Sequence, residues 1–339
     1  MDYDLRYMRR AIQLAKSSPA DTHPNPNVGA VIVAGDRIIG EGYHRRCGQP
    51  HAEVNAVASV APADRPLLAD ATIYVTLEPC SHYGKTPPCA RLIIDSGIPR
   101  VVIACGDPFD KVRGRGVAML RDAGVEVVEG VLEDEARRLN PKFFTAHTFQ
   151  RPFVTLKWAQ SADGFMDALR DPSQPAFRFS TPLDAALVHR ERALHDALLT
   201  TASTLLSDNP RLDVRLWGGP NPAVAVIDRC GVIDETAASR LNLFSRPDRR
   251  IIMLTSRPLQ LPGVENVEVT PATPISEMLS LLYRHGITSI MTECGPRLLQ
   301  SLIDARLYDT VRVYTSPHTL GDRGTAPAPL MPGKAEPAP

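Results

Sequence analysis

Three side chains with metal-binding chemistry stand out in the first third of the chain: His51, Cys80 and Cys89, with Glu53 two residues beyond the histidine. One imidazole and two thiolates form a soft-to-borderline donor set that suits Zn2+. Three protein donors leave one tetrahedral position for water, which distinguishes catalytic zinc sites from closed structural ones. Water beside such a cation becomes far more acidic than bulk water. Glu53, in the first turn of a helix that the histidine opens, can face that water without coordinating and can pass protons to a leaving amine. A cysteine on its own is usually a small buried hydrophobe, and Cys47 and Cys105, which have no such partners, read as structural. Three donors of two types together with a carboxylate argue for a site.

These residues need elements to carry them. An amphipathic helix over 4–16 places Met8, Ala11, Ile12 and Ala15 on one stripe. Thr22 to Asn27, where prolines alternate with asparagines, is an ordered loop. Val28–Ala34 and Arg37–Tyr43 flank Gly35-Asp36 as a β-hairpin. The chain then alternates: helix 51–60, strand 71–77, helix 90–96, strand 100–105, helix 116–123, strand 125–129. Periodicity breaks over 140–152, at Pro141, Phe143-Phe144 and Arg151-Pro152. Beyond it come strand 153–159, helix 182–194, strands 197–201, 223–228 and 251–255, helix 275–285, strand 289–293, helix 297–305 and strand 310–315. Such alternation predicts two α/β domains. In the second, Glu293-Cys-Gly295 marks a strand-to-helix corner suited to anions, and Asp208 falls in a loop after a strand. Lys157, on an otherwise apolar strand, requires a partner or a cavity. No G-x-G-x-x-G follows a strand, so a Rossmann site is not indicated.

Composition narrows the function classes. The 339 residues carry 38 basic and 38 acidic side chains, split 18 and 18 over 1–150 and 20 and 20 over 151–339. Neither half has the basic excess that drives nucleic-acid binding, which disfavours a polynucleotide base deaminase. The 43% hydrophobic content supports packed cores. No apolar run is long enough for a membrane span, and the charged start (Asp2, Asp4, Arg6, Arg9, Arg10) is unlike a secretory signal. Six cysteines predict a reduced, cytoplasmic protein. Five of the 31 prolines fall within 325–339, which is expected to be a disordered tail.

H-x-E with a later P-C-x-x-C is the pattern of zinc nucleobase deaminases; here the first part is intact, but the two cysteines are separated by eight residues. The run from His23 to Gly29 (HPNPNVG), Tyr43-His44, His51-Ala-Glu53 and the stretch Glu78 to Cys89 (EPCSHYGKTPPC) resemble the bifunctional riboflavin-biosynthesis deaminase/reductase family of bacteria. The resemblance continues through Gly106-Asp-Pro108, Gly114-Arg-Gly116 and Leu139-Asn140. It implies a cytidine-deaminase-like α/β/α domain over 1–147, holding one zinc ion and removing an exocyclic amine from a diaminopyrimidinone that carries ribosyl phosphate. It also implies that Asn25, His44, His82 and Lys85 line the pocket, with Lys85 a fitting phosphate contact.

Leu156-Lys157, Ser161-Ala-Asp163-Gly164, the stretch Thr204 to Pro210 with Leu212 and Arg215, and Thr292 to Pro296 resemble the family's reductase domain. That implies a dihydrofolate-reductase-like α/β domain over 148–324 that uses NADPH. Its substrate and cofactor contacts would be Lys157, Ala159, Arg178, Arg192, Thr204, Asp208, Leu212, Arg215, Glu293 and Gly295. A homo-oligomer, dimer or tetramer, through this domain is also implied. The chain departs from the pattern in a longer stretch between Gly164 and Phe179, and in Arg178 where an aromatic is usual. Past Leu320-Gly321 it runs into the Pro/Ala-rich tail where relatives continue into further strands, so an incomplete domain with an unpaired sheet edge is expected. Two alternatives stand beside the bifunctional reading. One is a deaminase whose second half is a dimerisation scaffold; the other is a non-enzymatic zinc module, which would need a fourth protein ligand.

Overall fold

The computed structural model describes residues 2–18, 22–81, 87–109, 114–171, 177–246 and 249–332. The chain divides into two compact units, Met1–Phe149 and Gln150–Pro339.

In the first unit the order is α1 (Asp2–Lys16), β1 (Gly29–Ala34), β2 (Arg37–Tyr43), α2 (Ala52–Ser59), a 3-10 segment (Pro62–Asp70), β3 (Ala71–Leu77), α3 (Cys89–Asp95), β4 (Arg100–Cys105), α4 (Arg115–Asp122), β5 (Glu126–Glu129), α5 (Glu133–Arg137) and α6 (Pro141–Phe149). The sheet runs β2-β1-β3-β4-β5. β1 is antiparallel to β2 and β3, whereas β3, β4 and β5 are parallel. One face (Ile32, Ile73, Val75, Val101, Ile103) packs on Ala52 and Ala56 of α2, Ala90 and Ile93 of α3, and Leu120 of α4. The other face (Val31, Val33, Tyr74, Val102) packs on Met8, Ala11 and Ile12 of α1, Ala136 of α5 and Phe144 of α6. Helices on both faces make the expected three-layer α/β/α unit. Gly42 lets α2 lie directly on β2: a Cβ there would sit 2.4 Å from the Ala52 carbonyl oxygen.

The stretch read as a break at 140–152 contains α6. Pro141 opens this helix, where its missing N–H is no loss, and the Phe144 N–H donates to the Asn140 carbonyl (3.0 Å). Phe144 and Ala146 are buried while polar residues stand among them, so the stripe is too short to show as a period.

The second unit contains β6 (Phe153–Gln160), α7 (Pro182–Ala193), β7 (Ala197–Thr201), α8 (Ala202–Asp208), β8 (Ala223–Asp228), α9 (Glu235–Ala238), β9 (Ile251–Thr255), β10 (Val264–Glu268), α10 (Ile275–Arg284), β11 (Ser289–Thr292), α11 (Pro296–Asp304) and β12 (Thr310–Thr315). Its sheet order is β10-β9-β8-β7-β11-β6-β12, and every neighbouring pair is parallel. Leu279, Leu282, Leu299 and Leu302 of α10 and α11 cover one face of the sheet. Val188, Ala202, Leu205 and Ala238 of α7, α8 and α9 cover the other. Burial on both faces explains the unbroken apolar strands. Asp208 ends α8 rather than lying in a loop; Thr201 caps this short helix by accepting from the Thr204 N–H.

The expected disordered tail starts too early. Residues 325–332 are tied to the 164–166 loop and to α11: Met166 N–H donates to the Ala326 carbonyl (2.7 Å), Ala328 N–H to the Gly164 carbonyl (2.8 Å), and Leu330 N–H to Gln300 Oε1 (2.8 Å). Alternation is the reason. The alanines supply these backbone bonds, while Pro327 and Pro329 occupy positions that need no donor. Residues 333–339 lie outside the described part. Among the described residues β12 pairs with β6 alone, as an edge strand.

Candidate active site

Three chain segments bring the metal donors together. His51 is the residue before α2, Cys89 begins α3, and Cys80 follows the end of β3 through Glu78-Pro79. Their donor atoms all lie within 4.8 Å of one another. His51 Nδ1 is 3.8 Å from Cys80 Sγ and 3.4 Å from Cys89 Sγ. Zinc bonded tetrahedrally to one sulfur and one nitrogen places those atoms about 3.6 Å apart, so this trio fits the ion. Cys89 is buried, Cys80 half-buried and His51 exposed, which leaves the site open on one side.

The electrostatics agree with a thiolate site. Cys80 is pushed down to about 4 by a hydrogen bond from the Cys89 thiol, and also by His51 and the Cys89 N–H, against the effect of burial. Cys89 is pushed up by that same bond and by burial. Glu53 is 3% exposed. Burial pushes its carboxyl up to about 7, opposed by His51, and it shares a hydrogen bond with Cys89. A buried carboxyl poised near neutrality beside three metal donors is suited to carrying protons.

Two of the four residues expected to line the pocket are placed beside this centre. The His44 ring meets His51 edge-on at 5.5 Å. Its Nδ1 lies 3.1 Å from the Pro50 carbonyl, and its Nε2 lies 3.1 Å from Asn25 Nδ2. Burial lowers the His44 pKa, so the ring is neutral; Nδ1 donates to Pro50 and Nε2 accepts from Asn25. The Asn25 loop is clamped in turn, since Asn140 Oδ1 accepts from the Asn27 N–H (2.7 Å) and Asn140 Nδ2 donates to the Asn27 carbonyl (2.8 Å). His82 and Lys85 lie outside the described residues.

Sequence reasoning missed Asp107, although Gly106-Asp-Pro108 was among the resembling motifs. Burial pushes its carboxyl up to about 6, with Glu78 and Cys80 adding to the effect against a bond from the Phe109 N–H. A lone aspartate in a loop gives no signal of facing inward.

The second unit gathers another cluster where strands end. Arg192 of α7 makes a paired salt bridge to Glu293, with Nε–Oε1 at 2.6 Å and Nη2–Oε2 at 2.7 Å, and donates from Nη1 to the Asp213 carbonyl (2.6 Å). Burial alone would raise the Glu293 pKa, yet the charges of Arg192 and Lys157 and the Arg192 bonds hold it at about 2. Arg215 pairs with Asp213, and its N–H donates to His189 Nδ1 (2.9 Å). Lys157 Nζ lies 6.0 Å from the centre of the Tyr314 ring. Lys157, Arg192, Arg215 and Glu293 thus form one network, to which the structure adds His189 and Asp213. Asp208 is held separately, by Arg170 at 2.6 Å. Thr204 belongs to the α8 cap, and Leu212 is buried beside Asp213 with a φ of +50°. Among the described residues, Ala159 near the end of β6, Gly295 ahead of α11 and exposed Arg178 ahead of α7 stand apart from the network. The sheet arrangement explains this gathering: Thr201, Thr292 and Gln160 end adjacent parallel strands, where ligands of open α/β sheets bind.

Fold and site together define a zinc-binding deaminase unit joined to a parallel α/β reductase unit. Residues 1–105 match the cytidine and deoxycytidylate deaminase zinc-binding region, and residues 152–333 match the RibD C-terminal domain. The chain belongs to the RibD family of bifunctional deaminase/reductases of riboflavin biosynthesis. It is 38% identical to the riboflavin biosynthesis protein RibD of Aquifex aeolicus, over 95% of this chain and 89% of that one. With RibD of Escherichia coli K12 it shares 37% identity, over 94% and 89%. Its structure resembles the crystal structure of the Thermotoga maritima diaminohydroxyphosphoribosylaminopyrimidine deaminase/5-amino-6-(5-phosphoribosylamino)uracil reductase, with a TM-score of 0.79, 37% identity, and coverage of 99% of this chain and 93% of that one. Acinetobacter baumannii RibD gives a TM-score of 0.79 at 33% identity, covering 99% and 92%.

Proposed function

We propose that the first unit hydrolytically deaminates 2,5-diamino-6-(5-phosphoribosylamino)pyrimidin-4(3H)-one. The second then reduces the ribosyl group of 5-amino-6-(5-phosphoribosylamino)uracil to ribityl at the expense of NADPH. The observation that carries this reading is the convergence of His51, Cys80 and Cys89 on one point with buried Glu53 against them. These three residues would hold Zn2+, whose Lewis acidity makes water nucleophilic near neutral pH. Glu53 takes the proton of the attacking water on its carboxylate and returns it to the departing amine, which leaves as ammonia. Neutral His44 fixes the Asn25 amide, so that the Asn25 carbonyl oxygen is presented to a pyrimidine N–H. Lys85 is assigned to the phosphate.

In the second unit NADPH supplies the hydride. Lys157 and Arg215 provide positive charge for the ribosyl phosphate and the cofactor, while the Arg192–Glu293 pair keeps the strand ends in register. Thr204, Asp208, Leu212, Ala159, Gly295 and Arg178 are assigned to the rim of that site. A single small-molecule route, with no nucleic acid involved, accords with the even charge of both halves.

All six cysteines are unpaired. Together with NADPH use, this supports a cytoplasmic setting. No helix among the described residues is long and apolar enough to cross a membrane. The exposed Leu183 and Leu187 of α7 and Val313 of β12 support self-association through the second unit, which sedimentation would measure.

A coupled assay on the diaminopyrimidinone, with and without NADPH, tests the whole reading. Deaminated product should accumulate without NADPH, and reduced product should replace it when NADPH is present. Unreduced product in both tubes would remove the reductase half of the proposal, and an absence of ammonia would remove the deaminase half.

A further inference from the structure

Glu78 ends the run of β3 two residues before Cys80, and it is only 4% exposed. Among the described residues no basic side chain meets its carboxylate; four main-chain amides do. Oε2 accepts from Asp107 N–H (3.3 Å) and Gly114 N–H (3.0 Å), and Oε1 accepts from Gly116 N–H (3.0 Å) and Val117 N–H (3.4 Å). Gly116 and Val117 open α4, whose preceding residue, Gly114, has no side chain to cap the helix. Glu78 supplies that cap from a neighbouring strand, where the helix dipole also favours a negative charge. The first amide in the set belongs to Asp107, so one carboxylate grips both ends of the connection between β4 and α4. That connection also presses on the metal corner: a Cβ at Gly116 would lie 2.0 Å from the Pro79 carbonyl oxygen, one residue from Cys80.

We propose that Glu78 is a positioning residue for deamination. It clasps Asp107 and the first turn of α4 onto the Pro79-Cys80 corner, and so shapes the wall that receives the pyrimidine without itself securing the metal. The proposal rests on the deaminase reading above. Wild-type turnover measured alongside separates a failure of that reading from a failure of this one.

The test uses the zinc-loaded full chain carrying Glu78→Gln. The amide keeps the shape but turns an NH2 group toward N–H donors that need an acceptor. Zinc should remain at about one ion per chain. Hydrogen exchange at the Gly116 and Val117 amides should accelerate at least about tenfold, and the KM for deamination should rise about tenfold with kcat little changed. Reduction of supplied deaminated substrate should proceed at the wild-type rate, which controls for the folding of the chain. Glu78→Asp keeps the charge with a shorter reach and should recover part of the KM; it also carries the same readouts should the glutamine variant not fold. A wild-type KM in Glu78→Gln overturns the proposal. So does lost zinc, or a fall in kcat at unchanged KM, since either would put the effect on the metal centre.

Discussion

Two buried glutamates illustrate how surroundings assign roles to one side chain. Burial lifts Glu53 to about 7 against the pull of His51. Glu293 faces Arg192 and is held at about 2. Replacing Glu53 with Gln removes the proton carrier but none of the donors to the metal. Zinc content should be retained while deamination falls by about 100-fold or more, and NADPH oxidation on supplied deaminated substrate should continue. For Glu293 the sign follows from its depressed pKa. Unfolded, the carboxyl titrates near 4.5, so its contribution is complete above that pH and is lost as the pH falls toward 2. A shift of this size corresponds to about 3 kcal/mol, and urea midpoints measured across that interval should record the loss. Glu293→Gln should flatten this acid limb and, by leaving Arg192 buried and unpaired, cost about 3–5 kcal/mol at neutral pH. The metal donors were legible in the sequence because histidine and cysteine are scarce and chemically distinctive. Glu78 and Asp107 were not, since an inward carboxylate is written with the same letter as a solvated one. Arg192 entered only through resemblance, its partner lying far along the chain.

At the level of elements, the position of the deaminase site depends on how closely α2 sits on β2. Gly42→Ala would force a methyl group toward the Ala52 carbonyl and the Ala56 amide, each 2.4 Å from the new atom. The helix must move, and His51 and Glu53 move with it. Overpacking of this kind costs about 1–3 kcal/mol, so the melting temperature should fall and zinc should be released at lower chelator concentration than from the wild type. The longer helices and every strand except β10 (Val264–Glu268) followed directly from their periodicity, because burial on one or both faces imposes it. α6 and α8 did not. Each is short, and each is held by a few buried side chains, with the Thr201 cap added in α8, rather than by a sustained stripe. The segment 325–332 was misread for a related reason: composition reports how a stretch behaves alone, whereas here the 164–166 loop and Gln300 provide the missing partners. Its proline content carried no information about docking.

Over the whole molecule, the two family matches fall one in each of the two units. The alternation of strands and helices made two α/β bodies legible, and the even charge of both halves accorded with small-molecule chemistry. What stayed hidden was the order in which the parts become complete. The clamp of Asn140 on the Asn27 backbone joins a residue at the end of the first unit to a loop near its beginning. During synthesis the zinc donors leave the ribosome well before Asn140, so the Asn27 backbone gains its clamp only when the first unit is nearly complete. The three metal donors precede the second unit in the chain, and domains of a growing chain generally fold as units. Ribosome-bound chains stalled within the second unit should therefore retain zinc against a chelator. The clamp thus ties the Asn25 loop, near the start of the growing polypeptide, to the residue just ahead of the unit's last helix.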